Sequence, residues 1–207
     1  MPRENIAPTK SNLLKTKERL ATAEEGYDLL EQKREILVME LMRKVEDVKM
    51  LERELDAAVD EAYPVLKRML IMVGREKANH LAEGVRYPFD VHEKHFMIAG
   101  MNLPGLESKA PRAKLKYSPE NSFAECDETV IEFFKLLKIL TELAAVRTIA
   151  WRLAREVRKT QRRVNALEKM VIPTARATKL YIEAALEEKE RDSFFTSKLL
   201  KKKAGKE

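Results

Sequence analysis

Glycine is scarce in this sequence. Six occur in 207 residues, none of them between Gly26 and Gly74 or between Gly105 and Gly205. Sheet-rich folds need many tight turns, and turns lean on Gly, Pro, Asn and Asp. An all-β fold or a doubly wound sheet is therefore excluded for most of the chain. Cysteine is scarcer still: Cys126 stands alone, so no internal disulfide can form, which fits a reducing compartment. Aromatic residues make up only 6% of the chain. The longest uninterrupted apolar run, Met69 to Val73, is far too short to cross a bilayer. The opening Met1-Pro2-Arg3-Glu4-Asn5 lacks the apolar core of a secretory leader. A cytoplasmic protein is expected.

What remains is the material of long helices. Ala, Glu, Leu, Lys and Arg account for more than half the residues, a composition that marks extended helices or coiled coils. Leu13, Thr16, Leu20, Ala23, Tyr27, Leu30, Arg34 and Leu37 step alternately by three and four, a heptad seam interrupted by one arginine. The ladder continues from Leu41 to Val73 with a mean step of about 3.6 residues, suiting a straighter helix on a broader body. Thr9 or Ser11 is placed to cap the first turn. Pro64 lacks a backbone donor and predicts a bend or an early end. Toward the other terminus, Val130, Phe133, Leu137, Leu140, Ala144, Trp151 and Ala154 form one stripe. Val157, Thr160, Val164, Leu167, Val171, Thr174, Thr178, Tyr181 and Ala185 form another. Pro173 predicts a local bend there rather than a stop.

The expected fold is mainly α: a long antiparallel two-helix coiled coil made by the N- and C-terminal helices. Residues 1–74 form the first helix, 75–126 an irregular insertion at the far end, and 127–207 the second helix with a basic tail. If the two heptad stretches pair, facing residue numbers should sum to about 198. Charge supplies an independent check. Residues 24–61 carry 13 acids and 6 bases, whereas 137–174, the window opposite, carries 9 bases and 3 acids. The seam is expected at Leu20, Tyr27, Leu30, Leu37, Val157, Val164, Val171 and Tyr181. Near the chain ends its knobs are small (Thr160, Thr174, Thr178, Ala185), which predicts a slender rod. The insertion holds four of the eight prolines and three of the six glycines. His95-Phe96-Met97-Ile98 and Lys114-Leu115-Lys116-Tyr117 are its strand candidates, pointing to a β-hairpin.

Motifs that carry chemistry are missing. There is no GxxxxGK[ST] phosphate loop, no CxxC pair and no HExxH helix. His92 and His95 would share a face if helical, with His80 and Cys126 in the same region, but zinc needs three or four converging ligands. The plainer reading of these histidines is surface residues. Nothing ties Cys126 to an activating histidine or positive environment. Carboxylates are too numerous to single out a catalytic pair. No catalytic, metal or cofactor site is expected. The net charge of +6 sits largely in a lysine-rich tail after residue 197, the ordinary composition of a solvated tail. Arg152, Arg155, Arg158, Lys159, Arg162 and Arg163 form the one serious phosphate-binding candidate, with Trp151 the only aromatic nearby and an acidic helix opposite. A coiled-coil scaffold or basic nucleic-acid-associated protein is thus the alternative reading.

Three strings carry a resemblance. Pro8-Thr9 followed by Leu13, the run Arg162-Arg163-Val164-Asn165-Ala166-Leu167-Glu168, and Ile172-Pro173 resemble the signature of the D subunit of V-type and A-type ATPases/ATP synthases. Tyr181-Ile182, Leu186-Glu187-Glu188, Glu190-Arg191 and Lys198 to Lys203 are similar too. The resemblance covers both helices, and residues 75–126 correspond to the family's variable part. It implies a central-stalk rotor with no active site, whose helix pair enters the hexamer of catalytic and regulatory subunits. It further implies contact with the F subunit of the stalk and with the funnel-shaped subunit that caps the membrane ring. The motif residues are then the expected hexamer contacts. Phe194, Phe195, Lys198, Lys201, Lys202 and Lys203 are the expected bearing tip, with packing of the two phenylalanines near Pro8 as the plainer alternative.

Overall fold

The computed structural model describes residues 4–84, 90–98, 100–109 and 123–204. Helix α1 spans Lys10–Val73 and α2 spans Arg75–Gly84; strands β1 (Asp90–Ile98) and β2 (Met101–Lys109) follow. Helix α3, Ala124–Ala166, passes through a π-helical turn at Leu167–Val171 into α4, Ile172–Ala204. The chain divides into two compact units, Met1–Glu35 with Val157–Glu207, and Ile36–Glu156.

Helix α1 starts where its cap allows. The Asn12 amide donates to Thr9 Oγ1 at 3.2 Å and the Leu13 amide to the Thr9 carbonyl at 3.0 Å, so Thr9 rather than Ser11 satisfies the first orphan donors. Pro64 does not end the helix, which runs nine residues further. Its position is exposed, so the carbonyl it leaves without a partner faces water. Termination falls to Gly74, whose φ of 84° is left-handed and whose amide donates to the Leu70 carbonyl at 3.1 Å. The Ala78 amide then donates to Gly74 and opens α2.

In the first unit the start of α1 runs antiparallel to the end of the chain. Lys10 pairs with Glu190, Lys17 with Glu183 and Glu24 with Arg176, each pair summing to 200. Leu20, Ala23, Ile172 and Ala175 form the core, with Tyr27, Leu167 and Val171 packed against it. Thr16, Thr160, Val164, Thr178 and Ile182 are buried as well. The hydroxyls of Thr16 and Thr178 donate to the carbonyls of Asn12 and Thr174, both at 2.8 Å. This i−4 bonding lets a polar knob sit in a seam without a stranded donor.

The second unit buries larger side chains. Leu37, Val65, Leu143, Ile149 and Leu153 are its main core residues, with Leu37 and Leu153 fully enclosed. Tyr63 and Phe133 meet at 6.0 Å between ring centroids. Here too the helices are antiparallel: Glu52 pairs with Arg147 at 3.0 Å and Arg68 with Glu128 at 3.6 Å. β1 and β2 form an antiparallel hairpin with Ile98 opposite Met101. Gly100, at φ 76°, makes its turn.

Several expectations need correction. Trp151 is 69% exposed, and Leu140 and Ala144 also face outward. The buried stripe of α3 runs instead through Thr141, Ala145, Ile149 and Leu153. The helix carries apolar residues on two faces, so periodicity alone could not choose between them. In α4, Tyr181 is 37% exposed whereas Ile182 is completely buried. Of the expected positions here, Val171 and Thr174 are half-buried and Thr178 is buried, while the deepest places beside them go to Ile172, Ala175 and Ile182. The π turn shifts the phase around Ile172, Ala175 and Ile182, while Thr178 stays in the seam where it was expected.

The hairpin also departs from expectation. β1 contains His95 to Ile98 as expected, but β2 is Met101–Lys109, while Lys114 to Tyr117 lie outside the described residues. Proline and glycine at 104 and 105 masked β2 in the sequence. Pro104 lies opposite His95 in this two-stranded sheet, where a missing donor is tolerated. A side chain at Gly105 would come within 3.2 Å of the Phe96 ring.

Candidate functional site

The motif residues from Arg162 to Pro173 lie in the first unit, around the π turn. Pro173 has no amide hydrogen, and its ring would collide with the Lys169 carbonyl in a regular helix. The wider π turn relieves that conflict: the Ile172 amide donates to the Leu167 carbonyl, five residues back. The string from Arg162 to Pro173 is thus the sequence of a helix that widens before a proline and continues. Val164 and Ile172 face the core, Leu167 packs on its edge, and Asn165 and Pro173 are half-buried. Arg162, Arg163, Ala166 and Glu168 point outward. An open groove beside the turn is lined by Glu24, Tyr27, Asp28, Glu168, Ile172, Pro173 and Arg176.

The N-terminal strings pack onto the same unit. The Glu4 amide donates to Thr178 Oγ1 at 3.1 Å, and the Glu4 carboxylate meets Arg19 at 2.8 Å. The Asn12 side chain donates to the Ala7 carbonyl at 2.8 Å. Residues before α1 therefore strap across to α4, beside half-buried Pro8 and Leu13. Of the expected seam, Leu20, Leu37 and Val164 are buried and Tyr27, Leu30, Val157 and Val171 half-buried, leaving Tyr181 as the exception.

At the end of α4, Phe194 and Phe195 are both largely exposed and meet edge to face, with centroids 6.4 Å apart. That exposure speaks against their packing near Pro8. Lys198 and Lys201 are exposed on the same helix; Lys202 and Lys203 belong to it, and their side chains lie outside the described residues. Arg152, Arg155, Arg158 and Lys159 each expose their side chains.

Electrostatics in the first unit are those of a helix pair. Donation from Lys17 to Glu183 at 2.9 Å holds that carboxyl below its ordinary range, against a smaller opposing effect of burial. The sign of the cross-helix pairs changes along α1: bases at Lys10 and Lys17, acids at Glu24 and Glu52, then a base again at Arg68.

His92 and His95 lie on a strand, and residues three apart on a strand face opposite sides. Among the described residues, no three of His, Cys, Asp and Glu converge as metal ligands. Cys126 is buried beside an apolar hollow of about 230 Å³ lined by Met69, Ala78, Leu81, Ala82, Thr129 and Val130. No helix among the described residues is long and apolar enough to cross a membrane.

What the sequence reading missed is the π turn itself, with the re-phased core residues Ile172, Ala175 and Ile182. The only signal was a proline inside an otherwise unbroken helical pattern.

Comparison with known proteins agrees with the motif. The family model for the ATP synthase D subunit matches residues 12–202. The V-type ATP synthase D subunit 2 of Treponema pallidum is 45% identical over 196 residues, covering 95% of this chain and 94% of that protein. The V-type ATP synthase D subunit of Thermotoga neapolitana is 33% identical, covering 98% of this chain and all of its own length. The A-type ATP synthase D subunit of Pyrococcus horikoshii is 35% identical over 95% of this chain and 93% of its own. A widened helix carrying the motif, antiparallel pairing of the chain ends and near-complete coverage by these relatives converge on one conclusion: the chain belongs to the D-subunit family of ATP synthases.

Proposed function

We propose that this chain is the central-stalk rotor subunit of a V/A-type rotary ATPase/ATP synthase. It couples ATP hydrolysis or synthesis in the catalytic hexamer mechanically to proton or sodium translocation in the membrane. Family membership over nearly the whole chain is the observation that carries this reading. The chain performs no chemistry of its own and holds no nucleotide, metal or nucleic acid. Its partners are other subunits of the ATPase. In finer terms these are the catalytic and regulatory subunits of the hexamer, the F subunit of the stalk and the funnel-shaped subunit above the membrane ring. It lies on the cytoplasmic side, peripheral to the membrane through that complex.

The physics of the task fits the residues. A stalk transmits torque only if its two helices cannot slide past each other, and interlocked knobs with complementary charge resist sliding. It must also bias chemically identical pockets unequally, and it can do so only through unequal contact energies. Exposed groups near the chain ends supply such contacts: Arg162, Arg163 and Glu168 beside the π turn, and Phe194, Phe195, Lys198 and Lys201 on α4. The shaft is residues 1–74 and 127–207, and its base is 75–126.

The test uses the full chain, affinity-tagged in its host. ATPase hexamer subunits are expected to copurify with it. Removing residues 194–207 is expected to lower the ratio of ions moved to ATP hydrolysed while leaving the helical melting transition in place. Failure to recover any ATPase subunit, or recovery of nucleic acid with a steep salt dependence instead, overturns the proposal. Unchanged coupling after the truncation removes the role of the tip.

A further inference from the structure

Arg34 occupies a seam position of α1, a place where a charge normally costs stability. It does not escape to solvent. Its Nη1 donates to Gln161 Oε1 at 2.7 Å, its Nη2 to Glu31, and the Gln161 amide donates on to Asn165 Oδ1 at 2.8 Å. All four side chains belong to the first unit, and all are half-buried. They form one polar layer across the helix pair, beside the apolar seam residues Tyr27 and Leu30 of α1, with buried Val164 between Gln161 and Asn165 in sequence. The layer is not fully satisfied: the second carboxylate oxygen of Glu31 is buried and has no hydrogen-bond partner among the described residues. A device that served only stability would be better replaced by leucine, since partly satisfied buried polar groups are worse than an apolar core.

We infer that Arg34 and Gln161 are the register lock of the helix pair: they permit one alignment of the chain ends and penalise slips of a heptad. The rest of this unit's seam cannot do so alone. Beside Leu20, Ile172 and Ile182 it consists of the small knobs Thr16, Ala23, Ala175 and Thr178, and small knobs discriminate poorly between one hole and the next. A slip of seven residues one way places Gln161 opposite Tyr27 and Lys17 opposite Arg176. A slip the other way takes Gln161 from Arg34 and sets Glu24 against Glu183. The flanking charges are exposed and screened by salt, whereas the half-buried layer is screened less. The lock belongs to the helix pair itself. Its test therefore needs no ATPase hexamer, and its failure leaves the stalk reading standing.

Register is read by disulfide trapping in the full chain, with Cys126→Ser as background and at high salt to screen the flanking pairs. Ala23→Cys with Ala175→Cys reports the native alignment. Thr16→Cys or Leu30→Cys with Ala175→Cys reports a slip of one heptad either way. With the layer intact, the native pair dominates. In Arg34→Leu/Gln161→Leu the off-register products are expected to rise roughly tenfold. The swap Arg34→Gln/Gln161→Arg is expected to restore the native pair alone. Exclusive native trapping in the double-leucine variant overturns the lock. Should that variant not fold, Gln161→Leu alone decides: off-register trapping supports the lock, and its absence overturns it.

Discussion

The two compact units mix large and small buried side chains in different proportions. In Ile36–Glu156 the buried positions include the large side chains Leu37, Leu143, Ile149 and Leu153 beside small Ala62, Thr141 and Ala145, with an aromatic contact between Tyr63 and Phe133. In the unit formed by the chain ends the small or hydroxylated residues Thr16, Ala23, Thr160, Ala175 and Thr178 share the buried positions with Leu20, Val164, Ile172 and Ile182. Burial of large side chains contributes roughly 1.5–3 kcal/mol each, so the first kind of pair is held by area. The second depends on satisfied hydroxyls, a strap from residue 4 and a polar layer. The difference teaches that strength and specificity are assigned to different stretches of the same helices.

The comparison breaks most visibly at its largest residues. Leu153→Ala is expected to cost about 2–5 kcal/mol, because a fully enclosed side chain leaves a cavity. Thermal or denaturant unfolding checks it, and a loss below about 1 kcal/mol would contradict the claim that area holds that unit. Thr178→Ala, in the other unit, removes the acceptor for the Glu4 amide and a small knob. It is expected to cost about 0.5–1.5 kcal/mol and to raise amide exchange at residue 4 selectively. A loss as large as that of Leu153→Ala would erase the distinction. The smallest effect sharpens it. Glu183 has its folded pKa lowered by Lys17, so its contribution is full above the ordinary carboxylate pKa and is lost as pH falls through the lowered value. Lys17→Met should therefore narrow the acid side of the stability profile by a barely resolvable amount, measured as melting temperature against pH. A large shift would mean that an exposed pair carries weight that such pairs rarely do.

How much of this was legible depends on phase. From Leu13 to Leu37 every expected seam position proves buried or half-buried, because a heptad pattern without interruption has one solution. The antiparallel register near 198 followed from the two heptad lengths, and the observed cross-helix pairs sum to between 195 and 200. Trp151 was misplaced because α3 carries a second apolar stripe, through Leu140 and Ala144, that stays exposed. Tyr181 was misplaced because the π turn adds a residue that no periodicity can register in advance. β2 was hidden by Pro104 and Gly105, residues that weaken a strand signal yet are tolerated in a two-stranded hairpin. Arg34 was visible as an anomaly; its partners Gln161 and Asn165 became visible only across the helix pair.

The widened turn at Leu167–Val171 sets the azimuth of everything that follows it. Each residue of an α-helix advances the side chains by roughly 100°, so one surplus residue rotates α4 by about that angle relative to an uninterrupted α-helix. Phe194, Phe195 and the lysines near the terminus owe their compass bearing to a spacing fixed more than twenty residues upstream. Excising a single residue between Val164 and Pro173 would leave the composition of that end intact and turn its side chains toward a different neighbour.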